Sequence, residues 1–599
     1  MSKFLNLKYF LIIIPCLMLF ISACENEDNN NGENDNPITV SSDLPADIPG
    51  GAPNASLQEA ARFAWQEFIS LNWPALMDTR DTPDNTQLFG DSSFTGPLVW
   101  HTFRHKVEIY PGQGNPPGFV DDEAQDFGYN SVPPVYRFGP QFGDGTGMVE
   151  ACPGQAPVES PAFINLDEIS QIGLASMFAG IAPELSDVNS VPQLVRFLAK
   201  ANKVYYSYVA DKNALEPEGD PLFSHPEDCA ATPGITYCAA INNFNAVSQG
   251  NGDVTTLPGF VINFNTGTIQ VKTGWRPLTE EEKNSGRFYT TTVRYYEANE
   301  TDAAACYRED EWGLLSLHIE HKTPTAPDYI YATFEQADNI LLPDGTRVED
   351  EDGNIINPPA APDPTTPDLF YMDGEPPTLE IVGESFCNNE QNRIYYAEIP
   401  ANTGLPSGGN ICTNQRNDSI PPPIINVNVE AHTAISDYNE DNGLQDSPWL
   451  YYKLINVQPQ PFDISDISAD TSSNTNRATF YMNNIMVETD YTLQLFSGRL
   501  TSPGPPSDIP PNFENFNQST TFQNVLDFEG NELSQTYNMG GCMGCHGNAQ
   551  GFGSDFSFIL LDGRVMEPEA PNITDPGTSN GFPNVKEIIE EQVKERKDE

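Results

Sequence analysis

The sequence predicts an α+β protein, with a β-rich body of irregular loops and a few helices and a small, mostly helical C-terminal segment. Three observations support this class. Several segments in the middle of the chain alternate apolar and polar residues, as half-buried strands do. Helical spacing occurs at few places, and 52 prolines and 45 glycines among 599 residues require many loops between short elements.

The chain begins with a pattern typical of exported lipoproteins. Lys3 and Lys8 precede an apolar stretch, residues 9–21, that is too short to span a bilayer comfortably. The sequence ISAC that follows resembles a bacterial lipobox, in which cleavage exposes a cysteine that takes a lipid. We therefore expect a lipoprotein signal peptide over residues 1–23 and lipidation of Cys24. An ordinary signal peptide or a short membrane anchor is the alternative.

We predict that residues 24–55 form a flexible acidic tether, because the run ENEDNNNGENDN contains no apolar residue that could order it. An acidic run after the lipidated cysteine also resembles the signal that Bacteroidota-type bacteria use to send lipoproteins to the cell surface. We expect an outer-membrane lipoprotein on the periplasmic or the cell-surface side, held to the membrane by its lipid. The formal net charge of −56 argues against nucleic acid as a partner and suits a cationic one.

The β-rich body is predicted over residues 56–500. Ser56-Leu57-Gln58-Glu59 fits a capping box, and the helical spacing that follows extends to Pro74. A second helix is predicted from Pro192 to Val209. A hairpin and three further strands are predicted for the segments GFVINFNTGTIQVKTGW (259–275), RFYTTTVRYYE (287–297), WGLLSLHIEHK (312–322) and DYIYATFEQ (328–336).

The ten cysteines divide by position. Cys16 lies in the signal peptide, Cys24 is the lipid site, and two more belong to the motif CMGCH. Six remain, an even number in an oxidising compartment, so we expect three disulfides. Local pairing favours Cys229–Cys238 and Cys387–Cys412 and leaves Cys152 for Cys306. The sequence does not fix this pairing, and buried free thiols are the alternative.

The strongest motif is CMGCH at residues 542–546, in the predicted haem segment 501–599. In a c-type haem site two cysteines form thioether bonds to the haem, and the adjacent histidine supplies an axial nitrogen to the iron. Neighbouring glycines let the backbone approach a flat cofactor closely. We predict one covalent haem c on Cys542 and Cys545, with His546 as the proximal iron ligand. A redox CxxC, half of a zinc site and a plain disulfide are the alternatives.

Met566 is the candidate distal ligand. It is the only methionine after His546, and residues 584–596 have the apolar spacing of a terminal helix. This order resembles small class I cytochromes c, in which Met/His ligation raises the potential and favours electron transfer. Only 19 residues separate Met566 from His546, which is short for that family. Alternatively, Met566 is a packing residue, and Met539, a body histidine such as His432 or no residue at all takes the distal position. His432 could equally be a core histidine.

Three longer stretches resemble one family. The stretches WGLLSLHIEHKTPTAPDYIYATFEQADN, MNNIMVETDYTLQLFSG and NMGGCMGCHGNAQGFGSDFSFIL are similar to segments of large, exported, uncharacterised bacterial cytochrome c-like proteins. The resemblance extends from about residue 56 to about residue 566. It implies the haem at Cys542, Cys545 and His546, and it implies that the body and the haem segment form one unit. It implies no particular reaction.

Two sets of body residues are candidates for a further site. His318 and His321 in HIEHK point to opposite faces of a strand, so we expect one inward and one outward histidine rather than a metal pair. His101, His105 and Glu108 have the spacing of one helical face and could bind a transition metal there. The same stretch is also compatible with a strand, which would turn Glu108 away.

The favoured hypothesis is therefore a membrane-anchored monohaem c-type cytochrome that exchanges electrons with an unidentified redox partner. The alternative is a haem-dependent oxidoreductase, which acts on a small molecule at an open haem iron or at a site in the body. A weaker alternative is a binding module in which the haem is a sensor or a structural staple. The motifs HExxH and GxGxxG are absent, so no catalytic residue is predicted and the question of an enzyme stays open.

Overall fold

The protein divides into two compact units, Met1–Pro37 and Ile38–Glu599. The structure, a computed structural model, describes residues 37–111, 114–138, 148–169, 176–180, 193–214, 221–223, 262–298, 305–342, 345–358, 394–397, 410–412, 419–445, 447–460, 484–487, 525–526, 532–533, 555, 557, 559 and 568–570. The first unit is thus described only at Pro37, and the fold given below is that of the second.

Within these residues the chain forms five α-helices and fourteen strands. The helices are α1 (Leu57–Leu71), α2 (Lys106–Ile109), α3 (Lys203–Ala210), α4 (Glu280–Asn284) and α5 (Pro422–Asn442). The strands are β1 (Arg104–His105), β2 (Ile164–Leu166), β3 (Ser176–Ala179), β4 (Gln193–Leu194), β5 (Arg196–Ala201), β6 (Ile269–Pro277), β7 (Thr290–Ala298), β8 (Ala305–Thr323), β9 (Ala326–Gln336), β10 (Ile394–Ala397), β11 (Asn410–Cys412), β12 (Tyr452–Gln458), β13 (Val525–Leu526) and β14 (Glu532–Leu533). Short 3-10 helices lie at Ala52–Asn54, Trp100–Thr102, Glu123–Gly128 and Pro448–Tyr451.

The predicted α+β class with a β-rich body is confirmed. The main sheet is built around β8, whose 19 residues pair with β6 along one edge and with both β7 and β9 along the other. All these pairs are antiparallel. The sheet continues from β6 to β5 and β1, and from β9 to β12.

The main sheet curls until it nearly closes. β2 runs parallel to β7, with Ile164 opposite Val293. Two residues beyond β2, Glu168 exchanges backbone hydrogen bonds with Phe197 of β5, at 2.8 and 3.4 Å. The path β2, β7, β8, β6, β5 therefore returns to its start, which leaves few unpaired strand edges within the described part of the chain.

Helix α1 forms where the sequence predicts it. Ser56 Oγ accepts the amide of Glu59, and the Glu59 side chain accepts the Ser56 amide, which completes the capping box. Its apolar side packs between α5 and the sheet. Trp65 Nε1 donates to Asn428 Oδ1 at 2.7 Å, and the Phe68 and Phe334 rings lie 4.3 Å apart. Each such buried aromatic side chain stabilises the fold by roughly 1.5–3 kcal/mol.

The predicted helix from Pro192 to Val209 is wrong in its first half. Arg196–Ala201 is strand β5, and only Lys203–Ala210 is helical. The helix begins after Asn202, whose side chain accepts the Tyr205 amide at 3.2 Å. Strand pairing with β1 and β6 on both sides outweighs the helical spacing of the segment.

The predicted hairpin around residue 267 is also only half correct. β6 forms, as do the strands predicted at 287–297, 312–322 and 328–336, but the described residues 262–265 are not a strand. The backbone of these residues instead forms hydrogen bonds with Asp555, which lies far along the chain. The Asp555 amide donates to Ile262 O at 2.6 Å, and the Phe264 amide donates to Asp555 Oδ2 at 2.5 Å.

The expected pairing of Cys152 with Cys306 is confirmed by a disulfide between them. It joins the edge of β8 to residues 148–152, which lie beside Tyr307. Cys229, Cys238 and Cys387 lie outside the described residues, and nothing is described of the Cys412 side chain, so the other two pairings stay predictions. No helix within the described residues is long and apolar enough to cross a bilayer.

We expect the change Cys152→Ser to lower the free energy of unfolding by about 5 kcal/mol, because the disulfide closes a loop across a sequence separation of 154 residues. Denaturant unfolding of the oxidised protein measures this loss. Cys306→Ser and the double variant should match it, and a double variant much less stable than either single one would contradict the pairing.

Candidate functional site

Both faces of the main sheet are buried, and on β8 the two faces differ in polarity. On β8 the residues Leu317 and Ile319 face the core that includes α1 and α5. The opposite face carries Ser316, His318, Glu320 and Lys322 of β8 and Gln270 of β6, which we call the polar face. His318 is 3 % exposed and Lys322 is 4 % exposed. Because buried polar groups cost free energy unless they are bonded, this face is the candidate functional site.

Residues 484–487 cover the middle of the polar face. Asn484 Nδ2 donates to Phe334 O at 2.8 Å, and the Ile485 amide donates to Glu335 Oε1 at 2.6 Å. Gly274 of β6 makes room for them, since a Cβ atom there would lie 3.3 Å from Val487 Cγ1 and 3.0 Å from Ser316 Oγ. The absence of a side chain at residue 274 thus permits this close approach.

Residues of the predicted haem segment cover the end of the polar face. Lys322 Nζ donates to Asp555 Oδ2 at 2.7 Å, and both side chains are almost fully buried. Ser557 Oγ donates to Gln270 Oε1, and Gln270 Nε2 donates to Glu320 Oε2 at 2.9 Å. Burial raises the pKa of Asp555 to about 7, although the charge of Lys322 opposes this shift.

The predicted haem segment is bound to the body at a second place. The Glu569 amide donates to Asp167 O at 2.9 Å, and the Ile169 amide donates to a Glu569 carboxylate oxygen. Asp167 also lies 3.3 Å from His105 Nε2 and 3.6 Å from Lys106 Nζ. The described residues 555, 557 and 569 of the predicted haem segment are therefore buried against the body.

Tyr329 of β9 has a strained backbone conformation and lies near Asp555 and Lys322. Its φ is +68°, which a tyrosine adopts only at a cost of about 1–3 kcal/mol. Its hydroxyl is buried and has no hydrogen-bond partner among the residues that the structure describes. Burial and the charge of Asp555 hold the pKa of Tyr329 well above its usual value, so the hydroxyl keeps its proton.

His318 and His321 lie on opposite faces of β8, as predicted, but neither is outward. His321 Nδ1 lies 2.7 Å from Glu67 Oε1 of α1, inside the apolar core. His318 lies on the polar face, stacked on Tyr331 and 3.7 Å from Glu320 Oε1. The expectation of one inward and one outward residue is wrong because residues distant in the sequence cover the second face.

His101, His105 and Glu108 do not share one helical face. His101 lies in a 3-10 helix, His105 ends β1 and accepts the Val107 amide, and Glu108 lies in α2. Glu108 forms a buried ion pair with Arg80 at 2.7 Å. Burial alone would raise the pKa of Glu108, but Arg80, with the charges of Arg104 and Lys200, lowers it to about 2. No three His, Cys, Asp or Glu residues in the described ranges are placed to hold a metal ion.

His432 is a core histidine. Its Nδ1 lies 2.7 Å from Asp352 Oδ1, and its Nε2 lies 2.8 Å from Tyr452 O. Both ring nitrogens are therefore engaged, which leaves none for iron. The other predicted site residues, Cys24, Cys542, Cys545, His546 and Met566, lie outside the described residues.

Sequence reasoning missed the polar face and the residues that cover it. The polar residues at alternate positions of β8 are a signal, but that pattern ordinarily indicates a face in water. Nothing in the sequence pairs Lys322 with Asp555, which lies 233 residues later. Comparisons with protein-family models, curated proteins and solved structures find no match for this chain.

An open cleft of about 530 Å³ lies elsewhere on the body and is lined mainly by proline and other apolar residues. Its charged lining residues are Glu150, Glu159 and Arg294, and Arg294 is 2.6 Å from Glu309 and 3.9 Å from the centre of the Tyr307 ring. These contacts already engage the guanidinium, so the cleft is a weaker candidate than the polar face.

We expect Lys322→Met to lower the free energy of unfolding by about 1.5–3 kcal/mol, because Asp555 and Asn263 both lose the buried cation that donates hydrogen bonds to them. Denaturant unfolding at neutral pH measures the loss. Lys203→Met is the matched control, since the Lys203–Asp126 pair is exposed and is worth less than about 1 kcal/mol. Equal losses in the two variants would show that the Lys322–Asp555 pair does not anchor the segment.

Proposed function

We propose that the protein is a monohaem c-type cytochrome that is tethered to the outer membrane through a lipid on Cys24 and exchanges electrons with a redox partner. The observation that carries the proposal is the motif CMGCH at residues 542–546, in a chain that opens like an exported lipoprotein. Two thiols and an imidazole at this spacing are the donor set that a c-type haem requires.

The packing of the haem segment supports a single functional unit of haem and body. Asp555 and Ser557 follow His546 by 9 and 11 residues, and both are buried on the polar face. Glu569, three residues after Met566, is buried against Asp167. Anchors on both sides of Met566 favour a haem whose surroundings are completed by the body, which limits water around it.

Each predicted residue has a distinct role. Cys542 and Cys545 would hold the haem through thioether bonds, and His546 and Met566 would ligate its iron. When bound, the haem supplies a one-electron iron couple, whose potential Met/His ligation raises. The acidic surface, with a formal net charge of −56, would steer a cationic partner toward the protein.

A haem-dependent oxidoreductase is the second candidate function. The strained Tyr329, with its unpartnered hydroxyl on the haem-segment side of the sheet, favours it, because such strain is often kept at functional sites. An open iron position distinguishes this candidate from the electron carrier.

The double change Cys542→Ala and Cys545→Ala should abolish covalent haem, because both thioether bonds are lost. Haem staining after denaturing electrophoresis measures this in protein matured in a host that assembles c-type haem. Cys152→Ser is the control, since it removes a cysteine outside the motif and should keep the stain. A stained double variant would refute the haem assignment.

Met566→Ala should convert a low-spin spectrum that carbon monoxide does not change into a high-spin spectrum that carbon monoxide shifts, because the iron loses one ligand. Visible absorption of the oxidised and reduced protein, with and without carbon monoxide, records the change. Met77→Ala removes a methionine that is 62 % exposed and should change nothing. A wild-type protein that already binds carbon monoxide would favour the oxidoreductase.

A further inference from the structure

The open cleft of about 530 Å³ is built around one residue, Tyr307 of β8. The Tyr307 amide donates to Glu150 O at 2.9 Å, and Tyr307 O accepts the Cys152 amide at 3.0 Å. The Tyr307 hydroxyl accepts the Val158 amide, also at 3.0 Å. Tyr307 thus holds two of the chain segments that line the cleft, and the disulfide between Cys152 and Cys306 ties the first of them to β8 as well.

The third lining segment of the cleft is also fixed to the interior. The Val135 amide donates to Glu108 Oε1 at 3.1 Å, and Glu108 is paired with the buried Arg80. Because the walls are held in place before any ligand arrives, a ligand can bind without first ordering the chain. Small-molecule sites in proteins have volumes of about 300–1,000 Å³, so the volume of the cleft favours a small molecule over a protein segment as its occupant.

The lining of the cleft favours an occupant with an apolar body. Most of the lining residues are apolar, among them Pro134, Val149 and Val158. Pro134 and Val149 are buried, whereas Met148 at the cleft is 49 % exposed. An apolar group that covers such a surface is removed from water together with it, which is favourable for binding.

The charges of the cleft favour a cation. Arg294 is balanced by Glu309, whose carboxylate oxygen lies 2.6 Å from its guanidinium, and it also lies against the Tyr307 ring. Glu150 and Glu159 are exposed lining residues. The charge that the lining offers to a ligand is therefore negative, in agreement with the acidic character of the whole chain.

We propose that this cleft binds a small organic cation, an amine or quaternary ammonium ion with an apolar body. The apolar body covers the apolar lining, and the ammonium group lies near Glu150 and Glu159. Each exposed carboxylate raises the affinity for such a cation by up to about fivefold, and salt weakens this attraction. This binding activity goes beyond the proposed electron transfer and uses none of the predicted haem residues.

The test is the affinity of the full-length protein for three probes of similar shape and different charge. Phenylbutylamine is a cation, phenylbutanol is neutral and phenylbutyrate is an anion. Calorimetric titration at low ionic strength should show that the amine binds at least about fivefold more tightly than the alcohol, and that the anion binds most weakly. About 0.5 M sodium chloride should remove most of the advantage of the amine.

The double change Glu150→Gln and Glu159→Gln should lower the affinity for the amine to that for the alcohol and leave the affinity for the alcohol unchanged. The matched control is Glu280→Gln with Glu281→Gln, which removes the same charge from α4, where both side chains are exposed. The control should keep the full preference for the amine.

Met148→Ala should weaken the amine and the alcohol alike, by about fourfold for each methylene group that the probe no longer covers. Met77→Ala is its control, because Met77 is 62 % exposed and does not line the cleft.

Equal affinities of the wild type for amine and alcohol, or no saturable binding of the amine, would overturn the inference. Amine binding that survives both the glutamate and the methionine changes would place the ligand elsewhere and also overturn it. The same holds if an apolar peptide with lysine residues binds and phenylbutylamine does not displace it, since the occupant would then be a protein. A missing haem would refute the proposed function alone, because these titrations do not depend on it.

Discussion

Backbone hydrogen bonds along β8 hold the described fold together, because this strand is paired on both edges over much of its length. β6 takes one edge, while β7 and β9 follow each other along the other. The curled sheet, the helical layer on one face and the C-terminal residues on the other all depend on these pairs. The amide hydrogens of a strand with so many hydrogen-bonded neighbours exchange slowly with water. We therefore expect β8 to open only when the whole fold unfolds.

The two faces of the sheet are buried by different means. The apolar face gains free energy from contact with α1 and α5, where aromatic rings such as Trp65 and Phe68 pack against β9. On the polar face a second apolar cluster, which includes Tyr331, is buried beside polar groups that need specific partners, of which Lys322 with Asp555 is the clearest. A polar interface of this kind fixes which segment can cover it, since a wrong occupant would leave charges unpaired.

The sequence predicted those elements whose signals are local. The capping box of α1 and the alternation in β7, β8 and β9 need no knowledge of distant residues, and the structure contains all four. The predictions failed where residues distant in the sequence determine the local structure. Arg196–Ala201 is a strand because β1 and β6 pair with it, and residues 262–265 do not pair as a strand because Ile262 and Phe264 bond Asp555 instead. The polar face looked solvent-exposed for the same reason. Of the candidate site, only β8 itself was predicted, together with the opposite orientation of its two histidines, of which His318 lies in the site.

The order of these elements along the chain has a consequence for how the protein is made. β8 is synthesised 233 residues before the partner of Lys322, so its polar face must wait in water while the rest of the chain follows. A waiting surface of leucine and valine would recruit neighbouring chains, as exposed strands of partly made proteins commonly do. Water can solvate serine, histidine, glutamate and lysine until residues such as Asp555 cover them, so we expect this face to aggregate less in the unfinished chain than an apolar face would.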